Sequence, residues 1–564
     1  MTSSSAALEG KSRETRNKLE SERTGLALPL TVLTLGFLLR LGNAAYRFLN
    51  PDEALHYLLS VQPSFAATYR ATLTTAHPPL LILFLHVWGA IAHSELWLRL
   101  PSVVAGTLFC ALMFSWVKRV TDCSTALVAL VLLVFSPALI QVSAEVRQYG
   151  FLLLFCSLSL YLLDQALEEN SIAKLLLSTA ALYLALLTHY SALIVALTLS
   201  LYGFMRLLAS HAPARIRFAW VAAQLGALAL VAFLVVHHIS RIRASGLAES
   251  IASSYLRRSV LQPGQNPLWF VARANLRLFH YFFSQGAVGA LALALFLYGL
   301  FLLAKAPPAR SRVNSASSRQ IAWLLGFPLV LNCILGLARL YPFGGTRHNS
   351  YLAIFAIPAI ATSVARANLS RRWVKPVAIG IIVAACNLFP SPQGEYIRAR
   401  DQNRKLMARA TASLSSLPSG STILTDDQGG LLLSYYLCQA KVTQIEQQPF
   451  QLFLRSSCGS HWVISLDPEL WIFKAETFPA MLEAVQRTYN LSPGTQLWLF
   501  QAGWFIDEEY ALRDELRSLG CSPHQEFGRN MFYCRLTLGG LGPGKSPDIS
   551  TRRLETGQTR KSKP

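Results

Sequence analysis

LALPLTVLTLGFLLRLGNAAY fills residues 26–46, and RFLNPDE follows at 47–53. As a helix rising about 1.5 Å per residue, the first string is long enough for a bilayer core of about 30 Å. Its one charge is Arg40, which at that depth has to snorkel or pair internally. The second string ends on two adjacent carboxylates, Asp52 and Glu53. Ionisable groups at the mouth of a membrane span are costly to keep near lipid, so they count as functional candidates. His77-Pro78-Pro79-Leu80 follows before the next long apolar run.

The rest of the chain repeats this pattern. Of 564 residues, 52% are hydrophobic and 14% are charged, against about 25% charged in soluble chains; mean hydropathy is +0.37. Cys123 to Ala144 holds no charge, and Val221 to Val236 and Gly286 to Ala304 are alike. This composition describes a polytopic α-helical membrane protein. The net charge of +21 would suggest nucleic acid in a soluble protein. Here the basic residues lie mostly in loops between spans, where they set orientation. No module interleaves aromatic and basic residues, so no nucleic-acid partner is expected.

Residues 1–25 carry Lys11, Arg13, Arg16, Lys18 and Arg23, which places the N-terminus in the cytoplasm. The first span lacks a small-residue cleavage site and reads as an uncleaved anchor; Asp52-Glu53 then lies outside. Leu80 to Ala92 is short for a span and reads as a helix on the outer surface. Omitting it puts Lys118-Arg119, Arg206/Arg215/Arg217, Lys305/Arg310/Arg312/Arg319 and Arg366/Arg371/Arg372/Lys375 inside, for about eleven transmembrane helices in all. One loop disagrees: Arg241 to Arg277 is basic yet falls outside.

With that parity, separate turns collect on the outer face. Cys123 to Ala144 delivers Glu145-Val146-Arg147-Gln148-Tyr149 to it; Thr188-His189-Tyr190 joins two short spans there. A later turn holds Arg339, Tyr341 to His348 with Arg347, and then Tyr351. After a last span at about Val377 to Leu388, Pro390-Ser391-Pro392-Gln393-Gly394 marks a linker. Ser421 to Leu424, Trp462 to Ser465 and Leu497 to Phe500 read as buried strands. Phe478 to Tyr489 and Glu508 to Leu519 read as helices, and Phe527 to Arg535 as a closing hairpin. Such alternation implies a soluble α/β domain over 391–540, external by an odd span count. A basic tail, 541–564, is expected to be disordered. Cys438, Cys458, Cys521 and Cys534 fall in this domain, and Cys521 with Cys534 is the favoured pair. No spacing fits a zinc site, and no Gly-rich phosphate loop opens a helix, so neither metal nor cofactor is expected.

The ordered set of Asp52-Glu53, His77-Pro78-Pro79-Leu80, Glu145-x-Arg147-x-Tyr149 and Thr188-His189-Tyr190 resembles the GT-C glycosyltransferases. The similarity is to the protein O-mannosyltransferase and lipid A aminoarabinose transferase type, family 39-like, and covers about Leu26 to Pro390. It implies a transmembrane glycosyltransferase domain over 26–390 in a bacterial inner membrane, with site and α/β domain on the periplasmic side. It implies an inverting enzyme that takes sugar from a polyprenyl-phosphate donor to a lipid, glycan or protein acceptor. An external enzyme has no ready supply of nucleotide sugars, so a lipid-carried donor is consistent. Asp52 is then the catalytic base, against the alternative that it only caps a helix. Glu53 positions the acceptor or supports Asp52. Arg147, Arg347, His348 and His77 are candidates for the donor phosphate; His189 is a ligand or a structural histidine. Tyr149, Tyr190 and Tyr351 complete the expected substrate-binding set. The alternative function is a transporter or flippase of lipid-linked sugars, which would normally show internal repeats; none is evident.

Overall fold

A computed structural model describes residues 26–210, 212–244, 256–306, 315–368, 371, 373–389, 402–439, 453–466, 473–503, 512, 514–521, 524–528 and 531–539. The basic N-terminus, the 390–394 linker, the tail and residues 508–511 and 513 of the expected 508–519 helix lie outside them. The chain divides into two compact units, 1–394 and 395–564.

The first unit is helical. Helix α1 (Leu26–Tyr46) leads to short helices α2 (Pro51–Ser60), α3 (Phe65–Thr72) and α4 (Leu80–Gly89). Then come α5 (Glu95–Val120), α6 (Cys123–Val134), α7 (Pro137–Val142), α8 (Tyr149–Glu169), α9 (Ile172–Thr188), α10 (Ala192–Ala209) and α11 (Ala214–Leu234). Helices α12 (Pro267–Phe283), α13 (Gly286–Lys305), α14 (Ser318–Leu337), α15 (Ala353–Arg366) and α16 (Val374–Leu388) close the unit. Seven described helices are long and apolar enough to cross a membrane, and four shorter apolar ones, α4, α6, α9 and α16, accompany them. At 10 residues, α4 spans about 15 Å, half a bilayer core.

The run from Cys123 to Ala144 differs from expectation. It is not one helix: α6 stops at Val134 and α7 restarts at Pro137. Ser136 accepts from the Leu139 amide, and Pro137 has no N–H to continue the first helix. The break gives Arg40 its partners. Its guanidinium, 0% exposed, donates to the Val134 carbonyl at 3.2 Å and the Leu133 carbonyl at 3.4 Å. Thus the charge inside the first span pairs internally, with the negative end of a helix dipole.

Two polar clusters mark the ends of the same helices. Arg99, near the start of α5, joins Glu53. Twenty residues on, about 30 Å along a helix, Arg119 joins Glu168 at the end of α8 at 2.7 Å. Beside it Arg206 of α10 holds Asp164 at 2.6 Å. This separation equals the hydrocarbon thickness of a bilayer, with the Arg119 and Arg206 pairs at the end assigned to the cytoplasm. With Cys123 replaced by Ser, Ser64→Cys is expected to react with an impermeant thiol reagent from outside and Lys118→Cys only after permeabilisation. The reverse pattern would invert the span count.

The second unit is a mixed six-stranded sheet in the order β2-β3-β1-β4-β6-β5. The strands are β1 (Thr422–Thr425), β2 (Phe453–Cys458), β3 (His461–Leu466), β4 (Gln496–Ala502), β5 (His524–Glu526) and β6 (Met531–Thr537). Central β1 runs parallel to β3 and β4, and β5 with β6 forms the expected closing hairpin. Cys521 pairs with Cys534, and Cys438 with Cys458.

Candidate active site

Local sequence presents Asp52 without using it. The cap of α2 is Asn50, whose side chain accepts from the Glu53 amide at 3.0 Å, while Glu53 Oε2 accepts from the Asn50 amide at 2.9 Å. This reciprocal capping box, with Pro51 in the first turn, leaves the Asp52 carboxylate out of the cap. The capping-only reading of Asp52 therefore falls.

Two guanidinium groups meet that carboxylate. Arg147 Nη1 lies 3.1 Å from Asp52 Oδ2, and Arg347 Nη2 donates to the same oxygen. Burial pushes the Asp52 carboxyl up, but Arg147, Arg347 and His56 outweigh it and hold it well below the usual carboxylate range. The Asp52 side chain keeps 28% exposure, against 3% for Arg147 and 12% for Arg347, so this is the face a ligand can reach.

Neutral rings surround the ion triad. His77 and His189 stack with centroids 6.0 Å apart, and His189 lies 6.0 Å from His348. Tyr149 meets His189 at 5.3 Å, with the Arg147 and Arg347 guanidinium carbons 5.8 and 6.0 Å from its ring centre. Burial and the two arginines lower His189 to about 3; burial, Arg147 and neighbouring histidines carry His77 well below its ordinary range. At neutral pH these imidazoles are therefore uncharged, and the arginines carry the positive charge. His189 Nδ1 accepts from the Ser191 amide at 3.1 Å, which leaves the proton on Nε2.

Glu53 is placed differently from Asp52. Its carboxylate is 0% exposed and fully engaged. It takes a bidentate fork from Arg99, at 2.7 Å (Nε) and 2.6 Å (Nη2), and the Val146 amide at 2.7 Å. Arg99 also donates to the carbonyls of Ala44, Arg47 and Phe48. Glu53 thus ties the end of α1 and the start of α2 to the 145–147 turn that carries Arg147. Both of its oxygens are occupied by these protein contacts.

Arg347 is positioned by its turn. Asn349 Nδ2 donates to the Pro342 and Gly344 carbonyls, each at 3.1 Å. Gly345 must be glycine, since a Cβ there would lie 2.4 Å from the Arg277 carbonyl oxygen. Two expected residues stand apart. Tyr351 is 0% exposed and its hydroxyl meets Asn332 of α14 within the helix pack. Tyr190 makes no hydrogen bond or ring contact with the cluster among the described residues. Neither contacts the Asp52 cluster among the described residues.

Three contributors escaped the sequence reading. His56, one turn after Asp52, donates from Nδ1 to the Asp52 carbonyl at 2.6 Å, and its Nε2 is buried without a partner. Spacing of four from Asp52 was its only signal. Gln148 donates to His77 Nδ1 at 3.1 Å. Arg99 had no local signal at all.

Residues 76–239 match the family described as dolichyl-phosphate-mannose-protein mannosyltransferase, a segment that holds His77, Arg147, Tyr149 and His189. No curated protein matches the chain by sequence. ArnT from Cupriavidus metallidurans, bound to undecaprenyl phosphate, is similar in structure. The TM-score is 0.51 at 14% identity, covering 91% of this chain and 99% of that one. The apo form of that protein scores 0.49 at 13% identity, with the same coverage. The Archaeoglobus fulgidus oligosaccharyltransferase in its apo form scores 0.41 at 13% identity, over 72% of this chain and 63% of that chain. The chain is thus similar in fold to ArnT over most of its length, and residues 76–239 are similar in sequence to the mannosyltransferase family.

Proposed function

We propose that the protein transfers a sugar from a polyprenyl-phosphate donor to an acceptor hydroxyl at the outer membrane face, with inversion at the anomeric carbon. The observation that carries this reading is the single Asp52 oxygen shared by Arg147 and Arg347. Two guanidinium groups on one carboxylate form a site that a phosphate can enter by exchange. Arginine forks suit phosphate oxygens, and the carboxylate they release regains basicity. Asp52 then accepts the acceptor's proton as its oxygen bonds to the anomeric carbon. The anomeric carbon–oxygen bond to the lipid phosphate breaks, and its electron pair leaves with the phosphate, held by Arg147 and Arg347. The uncharged histidines and Tyr149 wall the sugar without competing for the phosphate. A solved structure of similar fold is described with undecaprenyl phosphate bound, which supports a lipid donor. The acceptor is a lipid, glycan or protein.

The test is to incubate the purified protein with a panel of polyprenyl-phosphate sugars and measure released lipid phosphate. No release from any donor would reject the reading. Arg147→Ala and Arg347→Ala are each expected to weaken donor binding. A hydrogen bond to a charged group contributes about 1.5–3 kcal/mol, so the loss is about ten- to a hundredfold. Unchanged donor affinity in both variants would assign the arginines to bulk headgroups instead.

A further inference from the structure

The basic outer loop left unexplained above includes residues 256–277. Arg257 and Arg258 sit in a single turn, 257–259. Gly264, at φ +77°, reverses the chain. Asn266 then caps α12 by accepting from the Trp269 amide at 3.1 Å, with Pro267 in its first turn. Between turn and helix lies a cavity of about 300 Å³.

Its walls are strongly cationic. Arg257, Arg258, Arg273 and Arg277 line it together with Gln262 and the buried Phe270, and no described carboxylate does. The side chains of Arg257, Arg258 and Arg273 make no hydrogen bond or ion pair among the described residues. Arg273 and Arg277 are four apart on α12, so they share a face, and like charges at that spacing repel. A cluster of this kind is relieved by a bound anion.

The same helix indicates where the anion comes from. At its start, Leu268 is 81% exposed and Trp269 61%, while Phe270, Ala274 and Leu278 are buried. A helix that shows bare apolar side chains beside arginines lies in the membrane interface. Tryptophan favours the headgroup level. Guanidinium groups at that depth meet phosphate oxygens before anything else.

We propose that this cavity binds the phosphate-bearing headgroup of an anionic membrane lipid, at a site separate from the Asp52 cluster. Its location ties it to the reacting loop. The Ser259 carbonyl accepts from the Phe343 amide at 2.7 Å, and Gly345 packs on the Arg277 carbonyl. A lipid held here rests against the loop that carries Arg347.

The test uses the full chain in neutral detergent, titrated with fluorescent phosphatidic acid and, separately, fluorescent phosphatidylcholine. The wild type is expected to bind phosphatidic acid at least tenfold more tightly. Arg257→Gln/Arg258→Gln/Arg273→Gln is expected to lose at least tenfold of that affinity at unchanged melting temperature. Arg347→Gln should keep it, which separates this site from the donor site. If the triple variant does not fold, Arg273→Gln alone should lose severalfold. Equal binding of the two lipids, or wild-type affinity in the folded arginine variant, would overturn the proposal. Displacement by inorganic phosphate at equal concentration would overturn the lipid assignment and leave a soluble-phosphate site.

Discussion

Asp52→Asn is expected to abolish most sugar transfer while the protein still folds and binds donor. Removing a general base typically costs about 10²–10⁴-fold in rate. Folding should survive because α2 is capped by Asn50 and Glu53, not by Asp52, and because the side chain is partly exposed. The variant also has a signature in acid. Asp52 is held below its ordinary range by Arg147 and Arg347, so its charge stabilises the fold at neutral pH. That contribution fades as pH falls through the lowered value, since the unfolded chain binds the proton more readily. Asp52→Asn should therefore show less acid-dependent loss of melting temperature than the wild type. The measurements are turnover with a saturating donor, donor affinity, and melting temperature against pH. A folded Asn variant that turns over at the wild-type rate would remove Asp52 from the chemistry and leave it a charge partner of the arginines.

Much of this site was legible because its members announce themselves locally. Asp52, His77, Arg147, His189 and Arg347 each sit in a polar turn that interrupts apolar sequence, and charge in the loops assigned those turns to one side. The structure brings them together. Arg99 was not legible for the opposite reason. It lies within α5, beside an apolar run, and its partner Glu53 is 46 residues away; no local period encodes such a contact. His56 reads as one more half-apolar helix residue. The broken span at Ser136-Pro137 was hidden by uniform hydropathy, although the Ser-Pro pair is a helix-start signal. In the second unit the central strands were visible as apolar runs. Edge strand β2 carries Arg455 and Ser456 among its residues and so lacks that signature.

Glu53→Gln is expected to destabilise the protein rather than to weaken substrate binding. Glutamine at the third helical position can still complete a capping box, but its one side-chain oxygen cannot accept from both the Asn50 and Val146 amides, which donate to different oxygens of Glu53. The substitution therefore removes the charge and one acceptor, and sets the new NH2 against an Arg99 N–H donor. What remains is the Arg99 guanidinium, 1% exposed, with its counter-charge gone. Breaking a buried pair from one side costs about 3–5 kcal/mol, because the surviving charge stays out of water. A loss of that size is a large part of the stability of a typical fold, so a sharp fall in melting temperature and yield should follow. Any activity left in the folded fraction should show near-normal KM for the acceptor. The opposite pattern, an unchanged melting temperature with a raised acceptor KM, would return Glu53 to the substrate-binding set. Geometry argues against that pattern. Both Glu53 oxygens are taken by Arg99, with Val146 and Asn50 as further donors, so a substrate would have to displace the contacts that fix the Arg147 turn.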